Sequence, residues 1–227
     1  MKMENGKLDI VPTPIGNLGD MTARAVEVLG NCDLILAEDT RTTGNLLRHL
    51  GIDKPLKSFH LHNEHKIVAT IVDALSSGLH YALCSDAGTP GISDPGFLLV
   101  RACVEAGVEV GCLPGATAFV PALVVSGIPC DRFVFEGFLP HKKGRQKRLQ
   151  SLIQEQKTIV LYESPHRVIK LLQELVGYEC GTRKIAVCRE LTKIHEEIIR
   201  GRVEDALAHF KEKAPKGEFV IVLEGLS

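Results

Sequence analysis

No stretch of the 227-residue sequence stays apolar for anything near the ~20 residues that a membrane-spanning helix needs. The start, Met1-Lys2-Met3-Glu4-Asn5-Gly6, has no apolar core of the kind a signal peptide carries. A cytoplasmic protein with no membrane partner is the expectation. The seven cysteines, at positions 32, 84, 103, 112, 130, 180 and 188, include no CxxC pair and lie mostly in apolar runs. An odd, scattered set argues for reduced thiols and against a zinc site or a disulfide frame. An excess of one charge is missing too: 27 Lys and Arg face 28 Asp and Glu, for a formal net charge of −1. A polyanionic partner must therefore be met by a local patch, not by the whole surface. Repeats and low-complexity segments are absent.

What is present reads as layered α/β. With 44% hydrophobic and 24% charged residues, the chain can bury a sizeable core. Short apolar strands alternate with helical patterns. The spacing predicts strands at Leu8–Pro12, Asp33–Ala37, Leu56–Phe59, His80–Cys84 and Val108–Leu113. Helices fall between them at Thr22–Leu29, Thr43–Leu50, Glu64–Leu75 and Pro95–Ala106. An apolar helix, Ala116–Ser126, follows Pro114-Gly115, and then the pattern changes. Strands at Arg132–Leu139, Thr158–Tyr162, Lys184–Arg189, Glu196–Arg202 and Phe219–Leu223 interleave with helices near 144–155, 166–176 and 204–213. The segments 184–191 and 195–203 form an antiparallel hairpin. Two α/β subdomains are expected, 1–117 with a Rossmann-like sheet and 118–227 with a mixed sheet.

Chemistry-bearing residues gather where strands end. Ser85 through Gly96 contains three glycines, two prolines and two aspartates directly after the run Tyr81–Cys84. Glycine lets a ligand approach the main chain and proline stiffens the loop. In open α/β sheets ligands bind outside the carboxyl ends of strands. The bland alternative is a tight turn with Asp94 capping the next helix. The first strand leads into Pro12-Thr13-Pro14-Ile15-Gly16-Asn17-Leu18-Gly19-Asp20, which is not GxGxxG and has no Walker lysine. That counts against a nicotinamide or ATP phosphate cradle, and Asp20 or Thr22 can simply cap the helix. Ala37-Glu38-Asp39-Thr40-Arg41-Thr42 places two carboxylates and an arginine at a third strand end, as substrate-orienting groups or as a capped helix start. Tyr162-Glu163-Ser164-Pro165-His166-Arg167 offers an aromatic face, a carboxylate and two cations. Ser164-Pro165 by itself fits a helix N-cap followed by proline. His141-Lys142-Lys143-Gly144-Arg145-Gln146-Lys147-Arg148 carries five Lys or Arg and no acid. Such a run suits phosphate contacts, the alternative being a solvated helix face.

These segments, in this order, resemble the tetrapyrrole (corrin/porphyrin) methylase superfamily of S-adenosylmethionine-dependent methyltransferases, most closely its branch acting on small-subunit ribosomal RNA. Leu113-Pro114-Gly115-Ala116-Thr117-Ala118, Phe135-Glu136-Gly137-Phe138-Leu139-Pro140 and Gly217-Glu218-Phe219-Val220-Ile221-Val222 complete the set, which spans nearly the whole chain. The resemblance implies a methyl donor, S-adenosyl-L-methionine, folded into a cleft between the two subdomains. It also implies 2′-O-methylation of a cytidine ribose in the decoding region of 16S rRNA, and a homodimer. The apolar helix 116–126, with Phe119, Val120, Leu123 and Val124, is a candidate either for part of the paired surface or for the core between the two subdomains. It carries the donor-binding role to Pro14, Gly16, Ser85, Asp86, Ala87, Gly88, Thr89, Ile92, Thr117 and Tyr162. The sequence departs from the wider superfamily in having Pro12–Gly16 for a Gly-rich first loop and Gly88-Thr89-Pro90 for a Gly-Asp-Pro turn. Many relatives also run on past the last strand, whereas this sequence ends at Ser227; either the chain is naturally short or an accessory RNA-contacting segment is missing.

A sulfonium donor already carries its leaving group, so no metal is required and alignment is the main task. A ribose hydroxyl, a poor nucleophile, benefits from a base. Glu38, Asp39, Glu163 and Lys193 are the candidates, and a lysine would need a depressed pKa. Arg41, Arg167 and Arg189, with Lys142, Lys143, Arg145, Lys147 and Arg148, are the expected RNA contacts. A tetrapyrrole-type small-molecule methylase has no need of the 141–148 patch, and a non-catalytic RNA-binding protein has no need of the strand-end loops.

Overall fold

The computed structural model describes residues 6–226, and the chain divides into two compact units, Met1–Thr117 and Ala118–Ser227. Among the described residues no helix is long and apolar enough to cross a membrane.

The first unit runs β1 (Lys7–Ile10), α1 (Ala23–Asn31), β2 (Leu34–Ala37), α2 (Thr40–Leu50), β3 (Leu56–Ser58), α3 (Glu64–Ser76), β4 (His80–Cys84), α4 (Phe97–Glu105) and β5 (Glu109–Cys112). Its strands pair in the order β3-β2-β4-β1-β5, all parallel. A parallel sheet is covered on both faces, and Leu34–Ala37 and Tyr81–Cys84 are accordingly apolar without alternation. Leu8, Ile10, Leu36 and Leu83 pack with Ile71 and Leu75 of α3 and Leu99 and Cys103 of α4. The alternate residues Val11, Ile35, Ala82 and Cys84 pack with Ala25 and Leu29 of α1 and Leu47 of α2. The buried carboxylate of β1, Asp9, is partnered by Lys7 at 3.2 Å and His80 at 2.9 Å. Its register neighbour on β5 is Gly111, where a Cβ would lie 2.4 Å from the Asp9 carboxylate. From β1 the chain departs toward β2, and from β4 it departs the other way toward β5. The carboxyl ends of these neighbouring strands therefore form the topological switch point, where open α/β sheets hold ligands.

The second unit runs α5 (Phe119–Ser126), β6 (Phe133–Phe138), α6 (Arg145–Leu152), β7 (Thr158–Glu163), α7 (Val168–Gly177), β8 (Lys184–Arg189), β9 (Glu197–Arg202), α8 (Val203–Glu212) and β10 (Phe219–Leu223). The order is β6-β7-β10-β8-β9, with only β6–β7 parallel. The predicted hairpin is β8–β9, paired from Lys184↔Arg202 to Arg189↔Glu197. Leu149, Leu171, Leu175 and Phe210 from α6, α7 and α8 pack on Leu161, Val187 and Ile221 of the sheet. β10 lies between two partners and is buried along its whole length.

Four helix starts differ from the sequence reading. α2 begins at Thr40, three residues before the expected Thr43, because the Asp39 side chain caps it. α4 begins at Phe97, with Gly96 (φ +149°), not Asp94, in the N-cap position. α5 begins at Phe119 because Ala116 and Thr117 are tied to Thr89 instead. α7 begins at Val168: the Ser164 carbonyl accepts from Arg167 N and Val168 N, making a turn over residues 164–167 before the helix proper. Thr22 does cap α1, its hydroxyl accepting from Ala25 N.

Candidate active site

The loops after β1, β4 and β5 are fastened to one another within the first unit. Thr13 N donates to Gly88 O at 2.9 Å, and Gly88 N returns a bond to Thr13 O at 2.9 Å. The Thr13 hydroxyl reaches Ser85 O at 3.1 Å. Thr89 Oγ1 contacts Ala116 O at 3.0 Å and Thr117 Oγ1 at 2.6 Å. Gly115 passes so close to Pro12 that a Cβ would come within 2.6 Å of the ring. Gly88 and Gly91 both sit at φ +84°, and Ser93 at φ +63°, a conformation that costs a non-glycine residue energy. Ser85, Gly88, Thr89 and Thr117 are thus brought together on one braced edge. Pro14 and Ile92 are half-buried beside them, while Gly16, Asp86 and Ala87 are exposed.

The loop after β2 adds the carboxylates. Asp39 caps α2, accepting from Arg41 N at 2.8 Å and pairing with the Arg41 guanidinium at 2.7 Å. Those bonds, the side-chain one foremost, hold its carboxyl down to about 2. Asp39 N donates in turn to Asp86 Oδ1 at 3.1 Å, and Asp86 N to Glu38 Oε2 at 3.4 Å. Glu38 moves the opposite way: burial raises its pKa against the pull of the Asp86 amide. Neighbouring carboxylates with opposed shifts are the usual sign of divided labour. Asp39 is a fixed anion engaged by its own helix and by Arg41, which leaves Glu38 as the better base of the pair.

In the second unit, two expected roles are corrected. Glu163 is fully buried and clamped: Arg167 Nε lies 2.8 Å from one oxygen, Arg145 Nη1 lies 3.6 Å from the other, and Ser164 N donates to it at 2.9 Å. Arg145 is itself buried at 3% exposure and forks onto Glu174 at 2.8 and 3.0 Å. An arginine held this way is a core ion pair, not a phosphate contact, and the Glu163 side chain, with no exposed surface, is shut away from a substrate hydroxyl. Arg148 is engaged by Glu136, the residue passed over at the Phe135/Gly137 bulge. Among the described residues no acid pairs with Lys142, Lys143 or Lys147, which remain exposed. Arg167 also donates to Leu139 O at 3.2 Å, and its guanidinium lies 5.9 Å from the Phe138 ring. Tyr162 is half-buried, edge-on to Phe135 and Phe138. Arg189 is half-buried and tied to Glu197 and to Lys216 O.

Lys193 is corrected as well. It bonds Glu190 at 2.8 Å and Glu218 at 2.9 Å. Burial alone would lower its pKa, but those two carboxylates outweigh it and raise the value, so it stays a cation. The depressed pKa required of a lysine base is absent.

A constellation that sequence reading missed lies on α2. Thr42, Asn45, Leu46 and His49 line a cleft with Thr43, Thr13, Pro14, Gly16, Leu18, Ser85 and Asp86. The signal was the i, i+3, i+4, i+7 recurrence of positions 42, 45, 46 and 49, which marks one helix face. None of those residue types stands out alone.

Residues 7–207 match the family model of the tetrapyrrole (corrin/porphyrin) methylases. A ribosomal RNA small subunit methyltransferase I from Synechocystis is 55% identical, the match covering 97% of this chain and 79% of that one. The protein of the same name from Thermotoga maritima is 48% identical, covering 97% and 99%. Among solved structures, a diphthine synthase superposes with a TM-score of 0.72 at 14% identity, covering 97% of this chain and 90% of that one, a likeness of fold. With the family model matched over most of its length and such relatives over nearly all of it, the chain belongs to the tetrapyrrole (corrin/porphyrin) methylases, in the branch of the ribosomal RNA small subunit methyltransferases I.

Proposed function

We propose that this methyltransferase uses S-adenosyl-L-methionine to methylate the ribose 2′-hydroxyl of a cytidine in the decoding region of 16S rRNA, acting in the cytoplasm as a homodimer. Family membership supports methyl transfer, and the relatives' names support the small-subunit RNA. The observation that carries the site is the reciprocal Thr13–Gly88 bond pair at the switch point. It holds a glycine turn, with no side chain at the buried Gly88, where the strand ends diverge. The buried Ser85 and the paired Thr89 and Thr117 hydroxyls give a polar, rigid rim that fits a donor with amino, carboxylate and ribose groups. When bound, the donor supplies an electrophilic methyl on a sulfonium with its leaving group already in place. The chain's own task is to hold the hydroxyl in line and accept its proton. Glu38 takes the proton, its basicity raised by burial. Arg41, Lys142, Lys143 and Lys147 supply phosphate contacts.

The deciding measurement is transfer of labelled methyl from S-adenosylmethionine to small ribosomal subunits from a strain lacking the modification. Protection of one cytidine linkage from alkaline cleavage supports the reading; labelling of a base, or none, refutes it. Light scattering tests the homodimer, and a concentration-independent monomer mass refutes it.

Two further outcomes are expected. Replacing Lys142, Lys143 and Lys147 together by alanine lowers the slope of log affinity for rRNA against log salt by roughly 2–3, since each lost phosphate contact removes about 0.7–0.9. Donor affinity stays unchanged; an unaltered slope marks the patch as a solvated face. The second outcome concerns pH. Glu38 has a raised folded-state pKa, so it binds a proton more tightly folded than unfolded. Its contribution favours folding at acid pH and is lost as pH rises through the folded value. Glu38→Gln, with no such titration, should gain stability relative to the parent as pH rises from about 4 to 7, read from urea midpoints.

A further inference from the structure

The cleft against α2 lies wholly within the first unit; its Pro14, Gly16, Ser85 and Asp86 wall borders the proposed donor edge, while its α2 wall of Thr42, Thr43, Asn45, Leu46 and His49 has no role in the site chemistry so far. Its volume is about 270 Å³, at the small end of the roughly 300–1,000 Å³ typical of ligand sites. That space admits one heterocyclic base and no macrocycle. Pro14, Leu18 and Leu46 supply apolar walls, and Leu18 is half-exposed despite its size. Thr43, only 2% exposed, lines the cleft and carries a hydroxyl with no hydrogen-bond partner among the described residues. A buried orphan hydroxyl costs stability unless something satisfies it. One turn on, Arg48 donates to Asn45 Oδ1, which fixes that amide and leaves its NH₂ group to meet an acceptor.

We infer that this cleft receives the cytosine of the target nucleotide, turned out of its RNA stack; the inference rests on the rRNA-methylating reading above and deepens it. Enzymes that act on a nucleotide inside structured RNA or DNA extrude it into a snug pocket, read its edge by hydrogen bonds and hold its faces between apolar side chains. Cytosine presents an amino donor beside two acceptors. The Asn45 NH₂ group meets an acceptor, and the Thr43 hydroxyl can accept from the amino group. Ser85 and Asp86 belong both to the cleft wall and to the loop after β4, and the Asp86 amide bonds Glu38. A base seated here leaves its ribose at the carboxylate edge, where the 2′-hydroxyl needs its base.

The test uses unmodified small ribosomal subunits as substrate, with donor affinity measured separately by calorimetry. Leu46→Trp fills the cleft from a half-exposed position and should lower kcat/KM for the subunit by about a hundredfold, leaving the S-adenosylmethionine Kd unchanged. Thr43→Val removes only the orphan hydroxyl, keeps the side-chain volume and guards against a folding failure of the tryptophan variant. It should lower kcat/KM about five- to tenfold, the worth of one hydrogen bond, with no loss of thermal stability. Parent-like kcat/KM in both variants overturns the base pocket while leaving the methylase reading intact. A weakened donor Kd in either variant assigns the cleft to the donor and also overturns it. If the parent transfers no methyl to cytidine ribose, the functional reading itself fails, and that is known before any variant is made.

Discussion

Gly88→Leu is expected to weaken S-adenosylmethionine binding by at least about a hundredfold, or roughly 2.7 kcal/mol, while the protein still folds. At φ +84° the residue lies in the left-handed region, where a side chain costs about 1–2 kcal/mol. For a unit of this size that lowers the melting temperature by roughly 5–15 °C. Space for the first carbon exists, since a Cβ would meet only Ile15 Cγ2 at 3.5 Å and Ala116 O at 3.9 Å. The rest of a leucine then projects between the loops after β1 and β5, where the donor is proposed to lie. Gly88→Ala carries the same backbone strain without the bulk, so it separates the two effects. Calorimetry on the folded leucine variant decides the matter: an unchanged Kd would falsify the placement of the donor at this edge.

The second large effect is on stability. Glu163→Gln removes the carboxylate shared by Arg145 and Arg167, leaving Glu174 as the acid still paired with Arg145. Breaking a buried pair on one side typically costs about 3–5 kcal/mol, here because Arg167, its side chain only 15% exposed, is left without an acid. For a unit near 110 residues, a loss of even 3 kcal/mol lowers the melting temperature by more than about 10 °C. Arg145→Met, which removes a cation but leaves Glu163 with Arg167 and Glu174 with Lys170, should cost less. The alternative role makes the opposite forecast. Were Glu163 the catalytic base, the isosteric glutamine would keep its melting temperature and lose turnover. Parent-like stability in Glu163→Gln, measured by calorimetric scanning, contradicts the clamp.

The basic run 141–148 separates into buried and exposed members only in the fold. In sequence it is a single block of positive charge. In the fold, Gly144 at φ +85° ends the exposed turn and α6 begins at Arg145. The helix then turns Arg145 and Leu149 inward, while Lys147 stays outside. Arg145 finds Glu174 twenty-nine positions away, and Arg148 finds Glu136 twelve positions back. Likewise Lys193, at the turn of the β8–β9 hairpin, meets Glu218 beside the start of β10. No local spacing signals such partners.

The order and kind of every strand and α-helix among the described residues were legible in the sequence because periodicity is a local property: apolar runs wrote the parallel strands, and 3.6-residue recurrence wrote the helices. So were the strand-end loops, since glycine and proline announce backbone shape wherever they stand. The ordered motifs likewise pointed to the methylase family. Tertiary structure alone decided which charges are free. It turned Glu163 and Arg145 into a buried clamp, kept Lys193 a cation, raised Glu38 while lowering Asp39, and left the Thr43 hydroxyl without a partner beside a cleft. Protonation and availability depend on burial and on neighbours brought together across many residues, and those are fixed only when the chain has packed.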